Sequence, residues 1–250
     1  MNRLNLHHTP AYRSVKGSIL LIQGTWCQQT IWTKYWTEKL AQAGYQSWTM
    51  DYPVKGSTSI SDQVNLTHRA MDQIEQEYGV SLSLFGHSRG GLIAQKVASQ
   101  REVVSVVLLG SSAPWGICNI RFSLLSEFWR YLLHILFWKL FKPSHAVLDR
   151  LEFHRLADGD KLMDELVPDS GRTNMEIMLS LVRVDHLKCN ALIVAGRHDR
   201  IMPIPIQKAL AKKYGRCSDY LECPHGHMPM LEKSSGSLLN QIVSWLDIWA

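Results

Sequence analysis

The chain has 250 residues, of which 46% are hydrophobic and 20% are charged, a composition typical of a globular protein with a large core. Its net charge of +5 comes from scattered Arg and Lys residues without a basic run, which argues against nucleic-acid binding. The five cysteines are widely spaced and form no C-x-x-C pair, so the sequence predicts neither a zinc ribbon nor a disulfide framework. We expect no metal and no other cofactor.

Residues 1–14 lack the apolar core of a secretory signal peptide. Cysteines outside a disulfide framework are expected to stay reduced, as they do in a cytoplasm. Together these features predict a cytoplasmic protein.

Predicted strands and helices alternate along most of the chain. The strands are predicted at 18–22, 45–50, 80–85, 103–109, 190–195 and 220–221. Helices are predicted at 31–43, from a cap at Ser61 or Asp62 to about 77, and at 92–98, 204–214 and 238–249. The unbroken apolar run at 103–109 is typical of a strand buried on both faces. The alternation predicts an α/β fold with a mostly parallel central sheet flanked by helices.

A G-x-S-x-G motif follows the third predicted strand, where residues 86–90 read Gly-His-Ser-Arg-Gly. A strand, this pentapeptide and a helix in succession are the context of a nucleophile elbow, a strained turn that raises a serine hydroxyl above the sheet edge. Side chains at Gly86 and Gly90 would collide with the neighbouring strand and helix, so both positions need glycine. Ser88 is therefore the predicted nucleophile.

Residues 114–185 break the alternation, because they contain apolar, helix-like sequence and no convincing strand. Residues 124–141 are predicted to be helical, with Glu127, Arg130 and His134 on one stripe that we expect to face solvent. The charges and the short apolar runs argue against a transmembrane span. The region can be a plain insertion, a cap whose apolar underside lines a pocket, or a surface in transient contact with lipid. We favour the pocket-lining cap over the lipid contact.

The expected domain organisation is a core made of residues 1–115 and 188–250, with a helical cap inserted at residues 116–187. Trp26, Trp115 and Phe128 are the candidates for lining a substrate pocket. Aromatic side chains beside a buried strand are more often ordinary core residues, and this alternative stays open for Trp26.

A serine nucleophile needs a base and a carboxylate that orients the base, and in this type of elbow the chain order is Ser, Asp, His. The predicted strand at 190–195 is followed by Gly-Arg-His-Asp, which makes Asp199 the predicted acid. Two histidines follow the last strand; His227 is the predicted base, and His225 is expected to support the loop. His87 and His198 are expected to point away from the reaction centre.

An oxyanion hole needs two backbone N–H groups aimed at the developing charge. One is expected from Arg89, the residue after the nucleophile. The other is expected from the loop after the strand at 18–22, with Thr25 as first choice and Trp26 as second.

The chain resembles the α/β-hydrolase superfamily, serine-nucleophile branch, over about residues 15–115 and 188–250. The resemblance is carried by the first strand with Gln23-Gly24, the loop at Asp51, the motif at 86–91, the segment 196–199 with Pro203, and Gly226-His227 with Glu232. In that superfamily a helical cap sits where residues 114–185 lie. The resemblance implies the fold and the roles of Ser88, Asp199 and His227.

Two positions depart from the pattern of many relatives. Gln23 stands where they have His, which changes a side chain that anchors the loop but leaves the backbone donors. Arg89 stands where they have an apolar residue or Gln, so the chain places either a cation beside the site or a salt bridge beneath the cap. A serine nucleophile argues against the epoxide-hydrolase and haloalkane-dehalogenase branches.

The expected activity is hydrolysis of a carboxylic ester or thioester with an apolar acyl group, through an acyl-enzyme. The alternatives are a lyase or C–C bond hydrolase that uses the same triad, or a non-catalytic protein that binds a small molecule. The expected partner is a small apolar ester substrate. The sequence does not determine the oligomeric state.

Overall fold

The computed structural model describes residues 3–119, 129–150 and 166–249, and nine strands lie in these ranges. They are β1 (His7–Thr9), β2 (Gly17–Ile22), β3 (Tyr45–Thr49), β4 (Leu82–His87), β5 (Ser105–Leu109), β6 (Leu140–Phe141), β7 (Asp169–Ser170), β8 (Asn190–Gly196) and β9 (Ser218–Cys223). Seven form one sheet in the order β1-β3-β2-β4-β5-β8-β9, in which only β1 runs antiparallel to its neighbour. The predicted α/β fold with a mostly parallel sheet is confirmed.

Helices flank this sheet. Those in the described residues are α1 (Thr30–Thr33), α2 (Thr37–Gln42), α3 (Ile60–Tyr78), α4 (Arg89–Gln100), α5 (Leu132–Leu136), α6 (His145–Arg150), α7 (Gly171–Met178), α8 (Ile204–Tyr214) and α9 (Ser235–Trp249). Every residue of β4 and β5 is buried, as predicted for strands covered on both faces.

The helix predicted at 31–43 is wrong as a single element. The chain turns at residues 34–36 between α1 and α2, and Trp36 has φ −120° there. Trp32 and Trp36 are both fully buried, with ring centroids 5.8 Å apart. Helical spacing in the sequence is a weak guide to continuity, and here the chain leaves the helical conformation between two buried indoles.

The helix cap predicted at Ser61 or Asp62 is also wrong, because the cap of α3 is Ser59, two or three residues earlier. Ser59 accepts from the backbone N–H of Asp62, and the Asp62 carboxylate accepts from the backbone N–H of Ser59. The bonds that the backbone N–H and the hydroxyl of Ser59 donate to this carboxylate hold the pKa of Asp62 below its usual range. Asp62 is therefore the third residue of a reciprocal capping box, and Ser59 is the cap.

The region expected to contain no strand has a short antiparallel pair, β6 with β7, whose partners are Leu140 with Ser170 and Phe141 with Asp169. The helix predicted at 124–141 falls partly on residues 120–128, which lie outside the described residues. From Trp129 onward it is a 3₁₀ turn, then α5, and then a break at Trp138, where φ is +51°. A positive φ at a bulky residue is incompatible with a continuing helix.

All seven strands of the main sheet lie outside residues 116–187, the expected cap. The division into core and cap stays a prediction. In the described parts of the chain, no helix combines the length and apolar character that crossing a bilayer requires.

Candidate active site

The turn between β4 and α4 has the geometry of a strained elbow. Ser88 has φ 51° and ψ −116°, which an L-residue adopts only when its surroundings impose it. A Cβ at Gly86 would lie 2.4 Å from the carbonyl oxygen of Gly90, and a Cβ at Gly90 would lie 2.2 Å from that of Ile22. Both glycines are therefore required sterically, as the sequence predicts.

Asp199 and His227 form a buried hydrogen-bonded pair. Nδ1 of His227 donates to Oδ2 of Asp199 at 2.8 Å, and both side chains are almost fully buried. Oδ1 of Asp199 accepts from the backbone N–H groups of Ile201 and Met202 at 2.8 and 2.7 Å. The loop thus binds one carboxylate oxygen of Asp199, and the ring binds the other. Since Nδ1 of His227 donates to Asp199, Nε2 is the ring nitrogen that can take up a proton.

The pair lies at the carboxyl ends of the parallel strands, on the same side of the sheet as the elbow. The backbone N–H of Ser88 donates to the carbonyl oxygen of Leu109 at 3.0 Å. The next residue, Gly110, packs so closely on the pair that a Cβ there would lie 2.9 Å from Oδ2 of Asp199 and 3.4 Å from Nδ1 of His227. Ser88 follows β4, Asp199 follows β8 and His227 follows β9, so the three predicted triad residues lie at the same end of the parallel sheet.

His225 supports the loop that carries the predicted base. Its Nε2 is 2.7 Å from Oγ of Ser234, and its carbonyl oxygen accepts from the backbone N–H of His198. Burial lowers the pKa of His225. His198 is exposed, consistent with the expectation that it points away from the site.

The expectation that His87 points away from the site is wrong. Its Nε2 donates to the carbonyl oxygen of His227 at 2.8 Å, and the two rings lie 4.8 Å apart. Burial holds the pKa of His87 well below its usual value, so the ring stays neutral. A Cβ at Gly24 would lie 2.6 Å from Nδ1 of His87, so this ring also contacts the loop after β2. The alternation of side chains along β4 does not predict this contact, because the contact depends on the His227 loop, which is distant in the sequence.

The loop after β2 carries the predicted oxyanion donors. The backbone N–H of Trp26 donates to Oδ2 of Asp169 at 3.0 Å, so this second-choice donor already has a partner. Thr25 is buried in the same loop, and Arg89 is the first residue of α4, where backbone N–H groups lack helical partners. Gln23 anchors the loop by donating from Nε2 to the carbonyl oxygen of Met50 at 2.8 Å.

The side chain of Arg89 forms a buried ion pair with Asp169 of β7. Both side chains are almost fully buried, and the guanidinium carbon of Arg89 lies 5.8 Å from the centre of the Tyr52 ring. Of the two alternatives weighed for Arg89, a free cation beside the site or a salt bridge, the structure has a salt bridge, and its partner lies in the expected cap. Asp169 was not singled out in the sequence, since a lone carboxylate far from the elbow carries no motif.

The three predicted pocket residues have different surroundings. Trp26 is buried and packs edge-on against Phe141, with ring centroids 5.8 Å apart. Trp115 is 53% exposed, and the guanidinium of Arg183 lies 5.5 Å from its ring centre. Phe128 lies outside the described residues, so a pocket lined by these three stays a prediction.

Cys27 is a poor alternative nucleophile near the elbow. Burial raises the pKa of the Cys27 thiol to about 12, so this thiol is not ionised near neutral pH and is a poor nucleophile. Within the described ranges, no cluster of His, Cys, Asp or Glu has the arrangement of a metal site.

The sequence of the chain matches one family of known proteins. The model of the "Alpha/beta hydrolase family" matches residues 19–236. None of the curated proteins matches the sequence significantly.

Solved structures similar to this chain share its architecture at low identity. The monoacylglycerol lipase of Paleococcus ferrophilus is 21% identical, with a TM-score of 0.77 and full coverage of both chains. A soluble variant of the monoglyceride lipase of Saccharomyces cerevisiae is 15% identical, with a TM-score of 0.74, and the match covers 98% of this chain and 91% of that one. A putative non-heme bromoperoxidase of Mycobacterium tuberculosis is also 15% identical, with a TM-score of 0.74 and coverage of 99% and 97%. At these identities the likeness shows the fold alone.

The close packing of Gly110 on the Asp199–His227 pair leads to a stability prediction. Gly110→Ala should lower the free energy of unfolding by more than Gly79→Ala, by a further 1 kcal/mol or so, measured by urea unfolding. Both glycines have positive φ, +47° and +66°, but a Cβ at Gly79 meets nothing within 4 Å. Gly79→Ala therefore measures the backbone strain alone, about 1 kcal/mol. Equal losses in the two variants would contradict the crowding of the pair.

Proposed function

The chain belongs to the alpha/beta hydrolase family, and from that membership we propose that it is a serine hydrolase that cleaves a carboxylic ester or thioester with an apolar acyl group. The observation that carries the proposal is the buried Asp199–His227 hydrogen bond at the edge where the strained elbow presents Ser88. A fold alone would not support it, because this fold hosts many chemistries.

In the proposed reaction, Oγ of Ser88 attacks the carbonyl carbon of the ester while Nε2 of His227 accepts the hydroxyl proton. Asp199 holds the imidazole in the required tautomer and stabilises the imidazolium. His227 then gives the proton to the leaving oxygen or sulfur, and an acyl-enzyme remains. Water, deprotonated by His227, attacks the acyl-enzyme and releases the acid and free Ser88.

The backbone N–H groups of Thr25 and Arg89 are the proposed oxyanion donors. Trp26 is less suited, because its N–H already donates to the Asp169 carboxylate. The loop is held by the Gln23 bond to Met50 and the Trp26 bond to Asp169, so its donors are oriented before substrate arrives.

The substrate class is inferred from the charges and side chains around the site. The Arg89 guanidinium is already paired with Asp169, so it offers no free cation for an acidic substrate. Arg130 is exposed and lies over the Trp129 ring, in agreement with its expected position in solvent. The cap side of Trp26 is instead aromatic, with Phe141 against it and Tyr131 stacked on Phe141. Residues 116–187 thus act as a cap in this proposal, and an apolar acyl chain fits beneath it better than a charged group.

The nucleophile is tested with a fluorophosphonate probe. The native protein should be labelled covalently at Ser88, and Ser88→Ala should abolish the labelling. Ser112→Ala is the matched control, because Ser112 is buried next to the elbow and its N–H donates to the carbonyl oxygen of Ser88. Labelling of another serine, or none in the folded protein, would count against the proposal.

The two neighbouring histidines provide a test of the base. His227→Ala should lower kcat by several orders of magnitude, as removal of a triad member does. His225→Ala should have a far smaller effect, because His225 bonds to Ser234 and not to Asp199. Steady-state hydrolysis of one activated ester measures both variants, and the reverse ranking would show that the wrong histidine was chosen.

The acyl chain is tested with a series of p-nitrophenyl esters. The value of kcat/KM should rise from acetate to a medium chain, by up to about fourfold per methylene, until the pocket is full. A series in which acetate is the best substrate would argue against an apolar pocket. So would an Arg130→Ala variant that loses activity selectively on an acidic ester.

A further inference from the structure

A run of exposed apolar side chains lies on the outer side of the cap, and we call it the 129–140 surface. Phe137, Trp129 and Leu133 are 69%, 65% and 64% exposed, respectively. The full set of large exposed apolar residues is Trp129, Leu132, Leu133, Leu136, Phe137, Trp138 and Leu140. A contiguous apolar surface of this kind on a globular protein marks an interaction site.

The surface follows from the helical spacing of its residues. Trp129, Leu132, Leu133 and Leu136 are separated by three, one and three positions along the 3₁₀ turn and α5, so they share one face. Ile135 lies on the opposite face and is buried. The segment thus has a buried inner side and an apolar outer side.

Positive charge borders this apolar face. Residues 129–142 contain Arg130, Lys139 and Lys142, and no Asp or Glu. The guanidinium of Arg130 lies 5.7 Å from the Trp129 ring centre. That of Arg172 lies 5.0 Å from the Trp138 ring centre, but it is paired with Glu176 and adds no free charge. Aromatic and aliphatic side chains beside basic ones are the combination that binds the interface of an anionic membrane.

The backbone of the segment is fixed to the rest of the protein from beneath. The N–H of Gly171 donates to the carbonyl oxygen of Lys139 at 3.0 Å, and a Cβ at Gly56 would lie 1.9 Å from the carbonyl oxygen of Trp138. On the inner side, Phe141 contacts Trp26 of the predicted oxyanion loop. The outer side can therefore contact another surface while the inner side stays packed next to the candidate active site.

We propose that the 129–140 surface docks the protein on a lipid bilayer that contains anionic lipids. A second copy of this chain fits less well, because a symmetric contact would bring the same basic residues together. The idea that the bilayer supplies the apolar ester depends on the proposed function. The docking itself depends only on the surface.

The docking is tested by flotation of the full-length protein with vesicles of phosphatidylcholine, with and without phosphatidylserine. The apolar variant, Trp129→Ser with Phe137→Ser, should bind both kinds of vesicle at least about tenfold more weakly than the unchanged protein. The basic variant, Arg130→Gln with Lys139→Gln, should lose roughly tenfold on the anionic vesicles only, and added salt should do the same.

Matched controls replace exposed residues of the same kind elsewhere. Ile248→Ser removes an exposed apolar residue of α9, and Lys212→Gln with Lys213→Gln removes two exposed charges of α8. Both should bind vesicles as the unchanged protein does. Circular dichroism and thermal unfolding verify that every variant is folded, which is expected because the replaced side chains are exposed.

The outcomes separate docking from catalysis. Vesicle binding that the apolar variant loses supports docking, even if the fluorophosphonate probe fails to label Ser88. No binding to anionic vesicles overturns the proposal, as does binding that the folded apolar variant retains. A dimer that the apolar variant converts to a monomer, without vesicle binding, also overturns it and assigns the surface to a second copy.

Discussion

The buried ion pair of Arg89 and Asp169 is the interaction on which the arrangement of the site depends. Arg89 is the first residue of α4, directly after Ser88, and Asp169 belongs to β7 in the expected cap. The same Asp169 oxygen accepts the N–H of Trp26 in the predicted oxyanion loop. One carboxylate therefore connects the elbow, the loop and the expected cap. Loss of either partner would leave a buried charge unpaired, which is strongly destabilising.

Close backbone packing supports this arrangement around the candidate triad. Gly24 packs against the His87 ring and Gly110 against the Asp199–His227 pair, with no space for a Cβ in either place. His87 in turn holds the carbonyl oxygen of His227. Because each contact is short and buried, the predicted base has little freedom to move, which is the preorganisation that proton transfer in the proposed mechanism requires.

The described part of the expected cap combines two properties on which the proposals depend. Its inner side is aromatic at Phe141, next to Trp26, and its outer side is apolar and bordered by basic residues. An apolar side toward the candidate site and an apolar side toward solvent make the proposed substrate class and the proposed docking physically compatible.

The sequence by itself determined the α/β fold, the strands β2 to β5, β8 and β9 of the main sheet, and where the elbow, Asp199 and His227 follow those strands. These features depend on local patterns: buried apolar runs, glycines beside Ser88, and polar residues just after strand ends. The short edge strand β1, the break between α1 and α2, the Ser59 cap and the β6–β7 pair were not predicted, because each depends on packing or pairing with the rest of the chain. The same reason explains His87 and Asp169. His87 contacts the His227 loop, and Asp169 meets Arg89 across 80 positions of the chain. Only the tertiary structure decided these contacts, since local spacing carries no information about which distant side chain will neutralise a buried charge.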